Sequence, residues 1–349
     1  MKVLADLHHA DLYYSLQLLF EKRLGAELYR PIGMEWYTEG FWNVFPHPET
    51  AGQYLGLNQA IDIPKDFNGN PLPRGARVNE EYRFEDGIYY VTDITKDKIQ
   101  RAITLEKFRS MEFDIVISSM PVHIEPFNRL IAQSQPRAKH IFQVGNAWGH
   151  QPGVKNILAS TAPFDVPSGT NACFYHQEFD LDIWRYDPPT NHNLVYSWVH
   201  WMQRKDLMNA FAAGLHGWAF RSFGAGLEDH VMETDKQAEK MRESGWTWHY
   251  KPEGDGYGYA PHRACATGRP LIVWGDFYKK KLAGQLMEDM VTCVDIGRRS
   301  AEESIEILRR LSNPEEHNRM AEAAHRKFRE VVDFDREFVN IKQFLGNLR

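Results

Sequence analysis

Cysteine is scarce in this chain: Cys173, Cys265 and Cys293 are the only three in 349 residues, odd in number and far apart. That count excludes a disulfide framework and a cysteine-built zinc site, and it predicts a reducing compartment. Long apolar runs are missing too, since no window approaches the ~20 consecutive apolar residues of a membrane span. The opening stretch MKVLADLHHADLYYS is interrupted by charges and histidines within a few residues, so it has no signal-peptide pattern. These absences predict a soluble, cytoplasmic protein. Positive charge is not in excess either. A formal net charge of −6 gives no general pull toward nucleic acid or an anionic membrane. Repeats of solenoid period and low-complexity tracts are absent. The 15 histidines include no pair at helical metal-ligand spacing with a third ligand nearby, so no zinc site is expected.

What the sequence does contain is alternation. MKVLAD reads as a strand, LYYSLQLLFEKRLG as an amphipathic helix ending at Gly25, and AELYRPI as the next strand. Residues 33–86, rich in Pro, Gly and aromatics, read as long loops with short elements. The alternation resumes with GIYYVTDI, ITLEKFRSM, FDIVISS, EPFNRLIAQS and AKHIFQVGN, and VKNILAST and ACFYHQEF continue it. At RYDPPTNHN, residues 185–193, the composition shifts to that of an interdomain linker. A second series follows: LVYSWVHW, DLMNAFAAGL, GWAFRSFG, ETDKQAEKMRES, WTWHYK and PLIVWG, then charged helices from Ser300 onward, broken at Asn313-Pro314. The pattern predicts an α/β fold of two doubly wound, Rossmann-like domains, residues 1–190 and 191–334, with residues 335–349 as a closing helix.

Ligands of such sheets bind outside the C-terminal ends of the strands, which selects the loops to inspect. The segment KPEGDGYGYAPHRACATGRPLIVWG, residues 251–275, is one of them. Its glycines leave backbone amides free to orient, and the helix that follows presents a partly positive N-terminus suited to a diphosphate. His262 and Arg263 are placed to contact phosphate or a sugar hydroxyl. The competing account is tight packing of a small-residue helix (Ala264, Cys265, Ala266, Gly268) against the sheet, and the residues alone do not separate the two. His249 and Lys251 end the strand just before the glycine turn. His200, Arg204 and Lys205 follow an earlier strand; taken alone, Arg204 and Lys205 decorate a helix start, and a diphosphate-neutralising role is what the resemblance described below implies. His8, His9 and Asp11 follow the first strand. A histidine there can act as base or hydrogen-bond a sugar, oriented by the carboxylate, or Asp11 can simply cap the helix. VGNAWGHQ (144–151) and YHQEFD (175–180) are lesser candidates.

Residues 251–275 resemble the donor-site signature of GT-B glycosyltransferases, above all the large retaining family that uses nucleotide sugars. Asp255, Gly256, Tyr257 and Gly258 match the opening of that signature, and residues 264–270 match its close. Arg263 stands where the family places a ribose-holding glutamate, and Tyr259 and His262 are polar where apolar residues are usual. A guanidinium there favours phosphate or a donor carboxylate. YSWVHWMQRKDLMNAFAAGL resembles the first strand, loop and helix of a GT-B C-terminal domain, and FGAG (223–226) the next strand and loop. The whole chain is similar to GT-B chains of phage and bacterial type.

The resemblance implies two domains facing across a cleft, the first for the acceptor and the second for the donor, with residues 335–349 packing back onto the first as a hinge. It implies a metal-independent, retaining transfer of a sugar from a nucleoside diphosphate to an acceptor hydroxyl, with no obligatory cofactor beyond that co-substrate. His9 and Asp11 become the catalytic candidates. His200, Arg204, Lys205, His249, Lys251, Asp255, Gly256, Tyr257, Gly258, His262 and Arg263 become the donor-binding candidates. The acceptor is left open among glycan, protein, small molecule and modified DNA. So are a sugar-nucleotide epimerase on the same architecture, a phage-type DNA-base glycosyltransferase (YKKK at 278–281 supplies some charge) and a non-catalytic sugar-nucleotide-binding protein. FDLD, residues 179–182, has the Asp-x-Asp spacing of metal-dependent GT-A transferases and is read as a chance match.

Overall fold

The computed structural model describes residues 1–6, 9–32, 81–93, 98–145, 149–161, 163–199, 205–224, 231, 233–252 and 255–349. The chain divides into two compact units, one of Met1–Ser160, Phe164–Phe179 and Arg336–Arg349, the other of Thr161–Pro163 and Asp180–Asp335.

The centre of the first unit is built on short apolar strands that are buried on both faces. It runs β1 (Lys2–Ala5), α1 (Ala10–Gln17), which continues as a wider π-helical turn through Leu18–Arg23, then β2 (Glu27–Pro31), β3 (Glu81–Glu85), β4 (Ile88–Asp93) and β5 (Lys98–Ile103). After these come α2 (Leu105–Ser110), β6 (Ile115–Ser118), α3 (Pro121–Ser134), β7 (Lys139–Val144), β8 (Asn156–Ala159) and β9 (Asn171–Phe174). They form one sheet in the order β3-β4-β5-β2-β1-β6-β7-β8-β9. From β5 to β9 every pairing is parallel. Val3 lies opposite both Leu28 and Ile115, which sets the register of the centre. Because strand side chains alternate, Val3, Ala5, Ile115 and Ile117 pack against Leu12, Leu16 and Phe20 on one face. Leu4 and Val116 pack on the other face against Phe108, Phe127 and Leu130. One departure from the expected parallel sheet is its edge: β3, β4 and β5 pair antiparallel, in a hairpin turned by Asp86 and Gly87 at positive φ.

In the second unit the order is β10 (Leu194–Ser197), α4 (Lys205–Gly214), β11 (Ala219–Ser222), α5 (Thr234–Glu243), β12 (Trp246–His249), α6 (Tyr259–Ala266), β13 (Leu271–Val273), β14 (Cys293–Asp295), α7 (Ala301–Arg310) and α8 (Pro314–Val331). All strands are parallel, in the order β11-β10-β12-β13-β14. Trp246 and Trp248, two of the ten tryptophans, are fully buried in β12 and anchor its core. Helix α7 opens with a reciprocal capping box between Ser300 and Glu303, and α8 opens with Pro314 behind the capping side chain of Asn313. The closing helix α9 (Phe334–Gly346) inserts Ile341 and Phe344 into the core that holds Val3 and Phe20. Asn171 caps its C-terminal end by donating to the carbonyls of Phe344 and Asn347 at 3.0 and 3.3 Å.

Candidate functional site

The strand order of the second unit reverses beside β10: the chain adds β11 on one side and returns to add β12 on the other. Loops leaving neighbouring strands diverge at such a point, and open parallel sheets take their ligands there. Lys251, Asp255, Gly256, Tyr257 and Gly258 lie between β12 and α6, His249 ends β12, and His262 and Arg263 are in α6. Lys205 is the exposed first residue of α4. His200 and Arg204 lie outside the described residues, as does His8.

Helix α6 starts where it does because Gly258 takes φ 83°, a left-handed conformation that ends the loop and redirects the chain. The hypothetical Cβ of Gly258 would lie 3.1 Å from the Ala283 Cβ and 3.5 Å from the Asp255 Cβ, so the turn is also a close approach. Beneath it the Tyr257 ring stacks on His262, with centroids 4.2 Å apart and planes 14° apart. His262 donates from Nδ1 to the Gly258 carbonyl at 2.7 Å. Arg263 is 5% exposed, with its guanidinium 4.6 Å from the Trp184 ring centroid and 4.8 Å from that of Tyr259.

The structure brings His249, Lys251 and Asp255 into one cluster. His249 ends β12 and places Nε2 2.6 Å from Asp255 Oδ2, while Lys251 Nζ donates to Asp255 Oδ1. Burial alone would raise the Asp255 pKa. The charges and hydrogen bonds of His249 and Lys251 override it and hold the carboxyl well below the usual range. Tyr278 is fully buried, with its ring 5.5 Å from His249. Of the YKKK run, then, the tyrosine belongs to the core, and Lys279 pairs with Asp276 at 2.7 Å.

The sequence places the end of α6 at Gly268-Arg269-Pro270 but does not show what the Arg269 side chain does there. Thr267 Oγ1 bonds back to the carbonyls of Arg263 and Ala264, Gly268 turns at φ 74°, and the fully buried Arg269 gathers carbonyls around its guanidinium. It donates to Met241 at 3.2 Å, Asp187 at 2.7 Å, Thr267 at 2.6 Å, Gly268 at 3.3 Å and Arg242 at 2.5 Å. The ends of α5 and α6 and the segment leading into the unit therefore meet on one side chain. Burial lowers the Arg269 pKa to about 10, still well above neutral.

In the first unit the order reverses between β1 and β6. Asp6 follows β1 there and is 2% exposed. It accepts from the Ser119 amide at 2.8 Å, from the Ser119 hydroxyl and from His123 Nδ1 at 2.7 Å. Burial pushes the Asp6 pKa up, but His123 and Ser119 reverse this and bring it below the ordinary value. The composition is that of a Ser-His-Asp triad, but the connectivity is not. Serine and histidine both donate to the carboxylate, whereas in a triad the serine donates to the histidine. The cluster instead ties the end of β1 to the start of α3. Its sequence signal was a polar residue directly after each apolar strand run.

His9 is exposed and caps α1, its Nδ1 accepting from the Asp11 amide at 3.2 Å. The cap is thus the histidine, with Asp11 in the first turn. In YHQEFD, His176 donates from its backbone amide and from Nδ1 to Glu337 of α9, both at 2.6 Å. Asn146, Ala147 and Trp148 of VGNAWGHQ lie outside the described residues. In FDLD, Asp180 Oδ1 accepts from the Asp182 amide at 2.9 Å, a local turn. Among the described residues no group of three or more His, Cys, Asp or Glu side chains is gathered as for a metal ion.

No protein-family model matches the sequence, and no curated protein matches it. Solved structures do match in fold. HepE from Anabaena, in complex with UDP and glucose, superposes with a TM-score of 0.59 at 10% identity over 99% of each chain. An α-glucosyltransferase in complex with UDP-glucose and DNA containing an abasic site gives 0.59 at 10% identity, again over 99% of each chain. Sucrose-phosphate synthase from Thermosynechococcus elongatus gives 0.60 at 8% identity over 98% of this chain and 97% of that one. These are glycosyltransferases of the GT-B fold, and the chain has that fold.

Proposed function

We propose that the chain is a glycosyltransferase that takes a sugar from a nucleoside diphosphate, with a uridine diphosphate sugar as donor, and passes it to an acceptor hydroxyl. The observation that carries this reading is the cluster of Lys251 and His249 beside the N-terminus of α6, at the point where the strand order of the second unit reverses. Solved structures of the same fold in complex with UDP or UDP-glucose support the choice of nucleotide.

As the glycosidic bond breaks, negative charge grows on the departing diphosphate. Lys251, Lys205 and the amides that open α6 are assigned to stabilise it, with Arg204 and His200 from the loop after β10 as further cations, in place of a divalent metal. Gly256, Tyr257 and Gly258 shape the backbone of this donor site, and His262 and Arg263 pack behind it. The first unit is assigned to the acceptor, with His9 and Asp11 at the start of α1 on that side. Transfer with retention of configuration is part of the proposal. So is a cytoplasmic setting, which the free, buried state of all three cysteines supports.

Thermal denaturation with UDP, UDP-glucose, GDP and ADP tests the reading. A ligand at a hundred times its Kd stabilises the folded state by about 2.7 kcal/mol, and a uridine nucleotide is expected to give the largest shift. If no nucleoside diphosphate raises the midpoint at millimolar concentration, the proposal fails.

A further inference from the structure

A carboxylate at an anion site needs explaining, because its own charge repels a phosphate. Asp255 lies four residues ahead of the first residue of α6, and both of its oxygens are engaged. Oδ2 faces His249 Nε2 at 2.6 Å and Oδ1 accepts from Lys251 Nζ. The Asp255 and His249 side chains are 12% and 2% exposed, while that of Lys251 keeps 25% of its surface open. Gly258 closes the near side of the carboxylate, its Cβ direction 3.5 Å from the Asp255 Cβ and 3.1 Å from Ala283. Partial burial lowers the pKa of Lys281, two residues before Ala283, and the Asp255 charge offsets part of this.

Each Asp255 oxygen accepts from a different side chain, so one carboxylate bridges His249 and Lys251. We infer that Asp255 is a positioning residue: it fixes Lys251 and His249 so that the Lys251 ammonium and the amides opening α6 meet a phosphate group together. Identifying that phosphate as part of a nucleotide sugar rests on the function proposed above; the positioning role does not.

The test uses inorganic pyrophosphate as probe, titrated calorimetrically into the wild-type protein, Asp255→Asn, Lys251→Ala and the double variant. Removing a negative charge beside an anion should by itself tighten binding, so the sign of the effect discriminates. Positioning predicts that Asp255→Asn weakens pyrophosphate binding by about tenfold and that the double variant binds no more weakly than Lys251→Ala alone. Equal or tighter binding by Asp255→Asn, or full additivity in the double variant, overturns the proposal, as does a wild-type protein that does not bind pyrophosphate. A second measurement needs no ligand. Under limiting acetic anhydride, Lys251 should acetylate several-fold faster in Asp255→Asn than in the wild type, read by mass spectrometry on protein shown by circular dichroism to be folded. An unchanged rate means that Asp255 does not hold Lys251. UDP titrated in parallel separates the two ideas: UDP binding no tighter than pyrophosphate sinks the nucleotide-sugar reading and leaves the pyrophosphate comparison intact.

Discussion

The Arg263 guanidinium lies 4.6 Å from the centroid of the Trp184 ring, and Tyr259 holds a second ring 4.8 Å from the same guanidinium. At 5% exposure this is a cation packed between aromatic faces, where planarity decides the energy. Lysine keeps the charge but cannot stack flat. Arg263→Lys is expected to lower stability by about 1–2 kcal/mol in urea denaturation while changing UDP affinity only modestly. Normal stability with UDP binding abolished would make Arg263 a direct ligand instead.

Arg269 carries a larger structural load. Removing its guanidinium leaves the carbonyls of Asp187, Met241, Arg242, Thr267 and Gly268 without a shared donor at the ends of two helices. Buried acceptors left unsatisfied are expensive, and the helix ends lose a compensating cation. Arg269→Met should destabilise the protein by about 3–5 kcal/mol, and Arg269→Lys should recover only part of this, having fewer donors and no fork. A melting temperature within a few degrees of wild type for Arg269→Met would contradict the role.

Much of the fold was legible because its signals are local. Apolar runs such as VLA and IVI alternate with amphipathic segments, and the small-residue stretch from Ala264 to Ala266 announces a helix pressed to a sheet, as its near-zero exposure shows. The antiparallel edge of β3, β4 and β5 was not legible, because pairing direction is set by which strand is met in space. The three-residue β14 is too short to show a period. At the site, the sequence put His249, Lys251 and Asp255 within seven positions of each other, but did not show that one carboxylate would bind both side chains. The Asp6 cluster joins residues 113 and 117 positions apart in the chain, a relation only the parallel pairing of β1 with β6 creates.

Gly258 offers a sharper test of the turn that begins α6. A left-handed residue gains strain when a Cβ is added, and here the Cβ also meets Ala283 at 3.1 Å. Gly258→Ala should lower stability by about 1–2 kcal/mol, and UDP affinity should fall with it as the α6 amides shift. Stability lost with UDP affinity unchanged would place the ligand away from this helix.

Acid sensitivity should come from two histidines in different units, one buried and one half-buried. His317 is fully buried; burial, then repulsion by His192, lowers its pKa to about 3, against a favourable bond to the Gly245 carbonyl at 3.1 Å. Its Nδ1 lies 2.9 Å from that of His192, so with Nε2–H donating to Gly245 it accepts the His192 proton. Burial likewise lowers His140 to about 4, its ring bonded to Ser118 and Asn128 at 2.8 and 2.7 Å. Both folded values lie below the ordinary histidine value, so between the two the unfolded chain binds more protons than the native one. The stability these neutral rings retain is therefore complete above about pH 6.5 and lost as pH falls toward 4, by up to about 1.4 kcal/mol per pH unit for each. Below that range Asp6, Asp255 and Asp289, all with lowered values, add their own losses. Urea midpoints measured from pH 7.5 to 4.5 should fall steadily below 6.5, and His317→Gln should remove one proton from the slope. A flat midpoint down to pH 5, or an unchanged slope in His317→Gln, would show that the ring is not held neutral by burial.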